Sequence, residues 1–107
     1  MSSQMRKMMK EAKKMKNQLI KLQEEISQRT VEATAGGGVV KVVANGNLEI
    51  LEIKIDKDIV DPEDIEMLQD LILAAVNEAI RSAQKMSEEA MQSLTGGLSL
   101  PGLDGLL

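Results

Sequence analysis

The chain reads as an α+β fold in the order α-β-β-β-α: a long N-terminal helix, a three-stranded antiparallel sheet and a long C-terminal helix. Three observations predict it. An apolar repeat at steps of three and four runs unbroken through residues 3–28. A β-branched block with alternating polarity follows at residues 30–56. The acidic run "DPED" at residues 61–64 then opens a second helical repeat. With 107 residues the chain is long enough for one domain with a modest core.

The first helix carries Met5, Met8, Ala12, Met15, Leu19, Leu22 and Ile26 as a heptad stripe. The intervening Lys, Gln, Glu and Asn all tolerate helix. Twenty-six residues span roughly 40 Å, more than a small core covers, so part of the helix is expected to project. The seam itself is expected to pack inward, against the last helix.

The middle block supplies three strands, "TVEATA", "VVKVVA" and "NLEILEIKID". Asn45-Gly46 between the second and third predicts a type I′ hairpin turn. In the third strand Leu48 and Ile50 lie on one parity, and Leu51, Ile53 and Ile55 on the other. Either a bulge shifts the phase or both faces are partly buried. Val39, Val40, Val42 and Val43 favour burial on both faces, which calls for cover from a second chain.

In "DPED", Asp61 is expected as N-cap and Pro62 at the first helical position, with Glu63 and Asp64 favoured by the helix dipole. Ile65, Leu68, Ile72, Ala75, Ala79, Ala83, Met86, Ala90 and Leu94 then follow helical spacing. The small residues among them are expected to admit another helix, and Gly96-Gly97 to end the element. This organisation makes residues 1–95 a single α+β domain and residues 96–107 a Gly/Leu/Pro-rich tail.

Composition excludes several kinds of chemistry. The chain has no Cys, hence no disulfide scaffold, cysteine-ligated zinc site or thiol nucleophile. It has no His, the usual general base near neutral pH. The densest carboxylate cluster, Asp61, Glu63, Asp64 and Glu66, is explained by helix capping. The glycines of "TAGGGVVKVV" lack the Lys-Ser/Thr of a P-loop and lead into a strand, with no helix N-terminus to hold an anion. They read as a connection between strands. No enzyme, cofactor, metal or small-molecule substrate is expected. No apolar run approaches the roughly 18 residues of a membrane span, and no secretory h-region is present, so the expected location is cytoplasmic.

Charge is segregated. Residues 1–29 hold eight Lys/Arg against three Glu, a balance of +5, whereas residues 59–95 hold two against eight, a balance of −6. With Met5, Ala12, Leu19 and Ile26 at heptad position a and Met8, Met15 and Leu22 at d, Arg6 and Lys13 fall at b. Lys7, Lys14 and Lys21 fall at c, and Lys10 at f. Lys16 falls at e, beside the seam, and Glu11 and Glu25 at g. The cations thus form an outward stripe about three turns long, able to track a phosphate backbone by charge alone. Asn17, Gln18 and Gln23 are the amides nearby, and no aromatic is present to stack on unpaired bases. The candidate DNA contacts are Arg6, Lys7, Lys10, Lys13, Lys14, Lys16 and Lys21. The alternative from another class is a helical adaptor that docks another protein by its apolar seam or its tail.

The ordered combination "MMKEAKKMKNQLIKLQEE", "GGGVVKVVANGNLEILEIKID" and "DPEDIEMLQDLILAAVNEAIRSAQ", closed by "GGLSLPGL", resembles the YbaB/EbfC family of bacterial nucleoid-associated proteins. Lys10, Ala12 and Met15 match the family's M-K-x-A-x-x-M core. The resemblance implies a cytoplasmic, nucleoid-associated homodimer with tweezer-like projecting arms. It also implies duplex DNA binding with weak sequence preference and no catalysis. The chain departs from the family pattern in its lysines at Lys13, Lys14 and Lys16. It also has fewer basic residues in the last helix, where only Arg81 and Lys85 stand.

Overall fold

The computed structural model describes residues 2–98, with side chains through residue 93. Its elements follow the expected order: α1 (Ser3–Gln28), β1 (Thr30–Ala35), β2 (Val40–Asn45), β3 (Ile50–Ile55) and α2 (Ile65–Leu98), with short 3-10 turns at Gly36–Gly38 and Lys57–Ile59. Among the described residues, no helix is long and apolar enough to cross a membrane.

The strands form one antiparallel sheet in the order β1-β2-β3. β1 and β2 pair from Thr30↔Asn45 to Ala35↔Val40 without interruption. Their connection uses Gly36, Gly37 and Gly38 at φ +63°, +75° and +102°, a left-handed run that side-chain-bearing residues disfavour. A Cβ on Gly36 would also stand 2.8 Å from Val39 Cγ2 and 3.1 Å from Leu71 Cδ2 of α2. These glycines shape the turn and admit the helix.

A bulge resolves the phase conflict in β3. Val40↔Ile55 and Val42↔Ile53 are in register, the ladder shifts at Val43/Ala44, and Ala44 faces Ile50, which leaves Leu51 as the extra residue. Ile50, Ile53 and Ile55 therefore share the face of Ala44, Val42 and Val40.

That face meets α2. Ala75, Ala79 and Ala83 are fully buried against Val40, Val42 and Ala44, with Ala33 beside them. The small residues admit the sheet here, not another helix as the spacing alone suggested. Alanine at i, i+4 and i+8 lets the helix axis approach the strands closely. Val40 and Val42 are the largest fully buried side chains, so the core is thin.

The valines do not ask for cover on both faces. Val43 points to the outer face between Glu32 and Glu52, and Val39 packs on the core from the turn. The rest of the outer face is polar. Lys41 and Glu32 pair at 3.9 Å, and Lys54 and Glu52 at 3.3 Å. Antiparallel sheets commonly leave such a face in water. The uncovered apolar surface lies instead on the inner face, where Ile53 is 45% and Ile55 38% exposed beyond the edge of α2.

Three local expectations are corrected. The β2–β3 turn is not type I′. It is a three-residue connection in which Leu48 N–H donates to Asn45 O (3.0 Å) and Asn45 N–H to Glu49 O (3.0 Å). Asn45 Oδ1 accepts from the amides of Asn47 (2.9 Å) and Glu49 (3.1 Å), and the left-handed residue is Leu48 at φ +61°. At α2 the N-cap is Asp64, whose Oδ1 accepts from Met67 N–H (3.2 Å). Asp61 accepts from Glu63 N–H (3.0 Å) in a preceding turn that places Pro62 second. Proline suits both positions because each needs the same φ. Finally, α2 continues through Gly96 and Gly97 to Leu98. Glycine inside a helix costs only about 1 kcal/mol relative to alanine. The remainder of the expected tail, residues 99–107, lies outside the described residues.

The last correction concerns α1. Its seam does not pack inward on its own chain. Met5, Met8, Met15 and Leu19 are exposed, Leu22 is half-buried and only Ile26 is buried. Heptad spacing identifies an apolar face but not the chain that covers it. Met9 and Ile20, outside the a/d positions, widen this face and are also exposed.

What holds α1 is its C-terminal turn. Arg29 N–H donates to Ile26 O (3.1 Å), Gly46 N–H to Arg29 O (3.1 Å), and Ser87 Oγ to Gly46 O (3.2 Å). A Cβ on Gly46 would collide with Ile26 O and lie 2.7 Å from Ile26 C. Glycine is required at position 46 for proximity, not for φ. α2 comes alongside the same base, where Ala90 and Ser93 face Leu22 and Arg29 across a shallow depression.

Two outcomes follow from this geometry. Gly46→Ala should cost about 1–3 kcal/mol, as overpacking does. Thermal unfolding measures this, and an unchanged midpoint would refute the contact. Leu48→Asn should raise the midpoint by a few degrees, since the left-handed conformation costs a branched residue about 1 kcal/mol that asparagine largely avoids.

Candidate nucleic-acid interface

α1 is a 26-residue amphipathic helix capped at its start by Ser2, whose hydroxyl accepts from Met5 N–H (3.4 Å). From Met5 to Lys21 every residue is exposed, so both its faces are open over about 24 Å of axis. At about 100° per residue, Arg6, Lys7, Lys10, Lys13, Lys14 and Lys21 fall within an arc of roughly 120°, opposite the Met/Leu seam. Lys10, Lys13, Lys14 and Lys21 join Asn17 and Gln18 around one shallow groove on this face. Six of the seven candidate cations are thus brought together. Lys16 is not. It stands on the flank of the apolar side with Met9 and Ile20.

Among the described residues, the ion pairs are Lys41–Glu32, Lys54–Glu52 and Arg81–Glu78. No cation of the α1 face belongs to one. Their charge is not neutralised within the chain.

The arrangement opposes the helix's own electrostatics. α1 has no acidic residue in its first turn and no basic residue in its last. Arg6 and Lys7 lie at and just beyond the first turn, near the positive end of the dipole, and Glu25 lies in the last turn, near its negative end. The dipole disfavours these placements. An anion bound along the face would relieve this repulsion. Lys and Arg at this spacing can contact phosphate oxygens without reading sequence.

α2 does not extend the basic surface. Arg81 is engaged by Glu78, its Nη2 2.8 Å and its Nε 3.2 Å from Oε2, and Asp70, Glu78, Glu88 and Glu89 line the exposed side of the helix. The shared face of the candidate cations was legible from spacing alone. The central position of Asn17 follows from the same helical spacing, whereas the anchoring of the arm at Gly46 was not legible because it depends on a tertiary contact.

Comparison with known proteins agrees with this geometry. A nucleoid-associated protein of Moorella thermoacetica is 61% identical over 98 residues, covering 92% of this chain and 94% of that protein. One from Pelotomaculum thermopropionicum is 58% identical over 103 residues, covering 96% of this chain and 98% of its own. In three dimensions the chain is similar to an uncharacterized protein from Helicobacter pylori, with a TM-score of 0.58 and 26% identity over 81% of this chain and 96% of that one. Residues 1–98 match the YbaB/EbfC DNA-binding family, and the chain belongs to that family.

Proposed function

We propose that the protein is a nucleoid-associated homodimer that binds duplex DNA through the basic face of α1, with weak sequence preference, and helps organise or regulate the chromosome in the cytoplasm. The observation that carries this reading is the row of six unpaired cations on a helix uncovered by its own chain. The names of its relatives support nucleoid association.

Dimerisation rests on the inner sheet face. α2 covers β1 and β2, while Ile53 and Ile55 on β3 stay open, and Leu73 on α2 is 60% exposed. A two-fold that laid the partner's α2 over β3 would bury all of these and make a sheet–helices–sheet sandwich. The thin alanine–valine core gives a lone chain little stability, and a second chain doubles the apolar layer. The same partner offers a helix to the Met/Leu seam of the arm. Two arms on one dimer raise the effective concentration of basic surface at the DNA.

With about five phosphates neutralised per arm, log K should fall with log salt at a slope near −4 to −5 per arm. Affinity unchanged between low and high salt would sink the mechanism. Reversal of Lys10, Lys13 and Lys14 to Glu together should make the slope shallower by about 3 and weaken binding to all duplexes alike. For the dimer, Ile53→Asp combined with Leu73→Asp should yield a monomer in sedimentation experiments. A variant that sediments as the wild-type dimer would show that another surface pairs the chains.

A further inference from the structure

The basic face of α1 is not uniform. Lys10, Asn17 and Lys21 fall within roughly 20° of one line along the axis, at i, i+7 and i+11. Arg6 and Lys13 stand to one side of that line, Lys7 and Lys14 to the other. Asn17 lies in the groove framed by Lys10, Lys13, Lys14 and Lys21, and it is the only uncharged residue on the central line between cations. Gln18 also borders this groove, but it stands about 80° round the helix from the central line, beside Glu11. Asn17 is exposed, and among the described residues no hydrogen bond occupies its amide.

We infer that Asn17 reads base edges in the major groove and selects adenine. The inference rests on the proposed binding through α1. A helix about 10–12 Å across fits a major groove about 12 Å wide, and among the described residues every position of the arm from 5 to 21 is exposed, which leaves entry open. With the central line toward the groove floor, the flanking pairs Arg6/Lys13 and Lys7/Lys14 reach the two phosphate walls. The line itself then faces the bases. An asparagine amide there presents one donor and one acceptor, the pattern that matches adenine N7 and N6 in a bidentate pair. Lys10 and Lys21 on the same line bracket Asn17, and their long flexible stems reach out to phosphates, leaving Asn17 as the group that meets the bases. One amide per arm is enough for a preference but not for a long specific site.

The test is selection from a randomised duplex pool of roughly two helical turns, using the full chain, followed by titration of the enriched and unenriched duplexes at two salt concentrations. Wild type should enrich an adenine-containing step about 5- to 100-fold, the discrimination one bidentate pair supplies. Asn17→Ala should abolish that enrichment and leave the salt slope unchanged. Lys13→Ala should keep the enrichment and make the slope shallower by about 1. Asn17→Gln retains the donor–acceptor pattern and should keep an adenine preference. Retention of the wild-type enrichment by Asn17→Ala overturns the inference, as does wild-type binding with no adenine enrichment. Absence of any duplex binding by the wild type would instead defeat the proposed function itself.

Discussion

Everything α1 presents to its surroundings depends on a contact at its other end. The backbone of Ile26 rests on Gly46 so closely that no Cβ fits between them. Hydrogen bonds from Gly46 to Arg29 and from Ser87 to Gly46 tie the base of the arm to the β2–β3 turn and to α2 at once. A helix held along its length can tolerate a loose end, but one held only at its base is aimed by that base. Small changes at Gly46 are therefore magnified along the roughly 30 Å of helix that follows. The turn is itself built to hold still. Asn45 binds two amides with its side chain, and Leu48 accepts a left-handed conformation to close the loop.

The arm and the body solve different physical problems. The body is aliphatic and thin, an alanine row laid on valines, and its exposed inner edge on β3 fits a fold completed by association. The arm is arranged against its own stability, with cations rather than carboxylates near the positive end of the helix dipole and, among the described residues, no ion pairs to soften them. Local rules are broken where a ligand supplies the compensation. Residues 59–95 hold eight Asp/Glu against two Lys/Arg, so α2 and the turn before it offer an anion little.

Much of this was visible in the sequence because periodicity reports on faces. The element order and the bounds of α1 and β1 follow from repeats of about three and a half and two residues. The basic face follows from the same spacing. What periodicity does not report is which surface covers a face. The Met/Leu seam of α1 looked like core but is open, and the valines of β2 looked two-sided while one side is charged. The phase conflict in β3 was visible, but only pairing shows that Leu51 is the bulged residue. Gly46 was misread for a simple reason. An Asn-Gly pair signals a turn through φ, and here the glycine serves a tertiary contact that leaves no local trace. The cap shifted from Asp61 to Asp64 because a proline between two aspartates satisfies a turn and a helix start equally well.

The balance of groups on α1 sets the character of recognition. Phosphate contacts add affinity without regard to sequence, and their number fixes the dependence on salt. Base contacts add preference, about 1–3 kcal/mol for a good bidentate pair. A face with six cations and a single central amide weights the first far above the second. On the proposed reading such a surface would occupy DNA broadly and linger where adenine meets Asn17. Mismatch at that one position costs only a small part of the total, because the flanking lysines hold the phosphates whatever the base. Broad occupancy of that kind needs affinity to outweigh preference, and the reverse proportion would suit a repressor of defined sites.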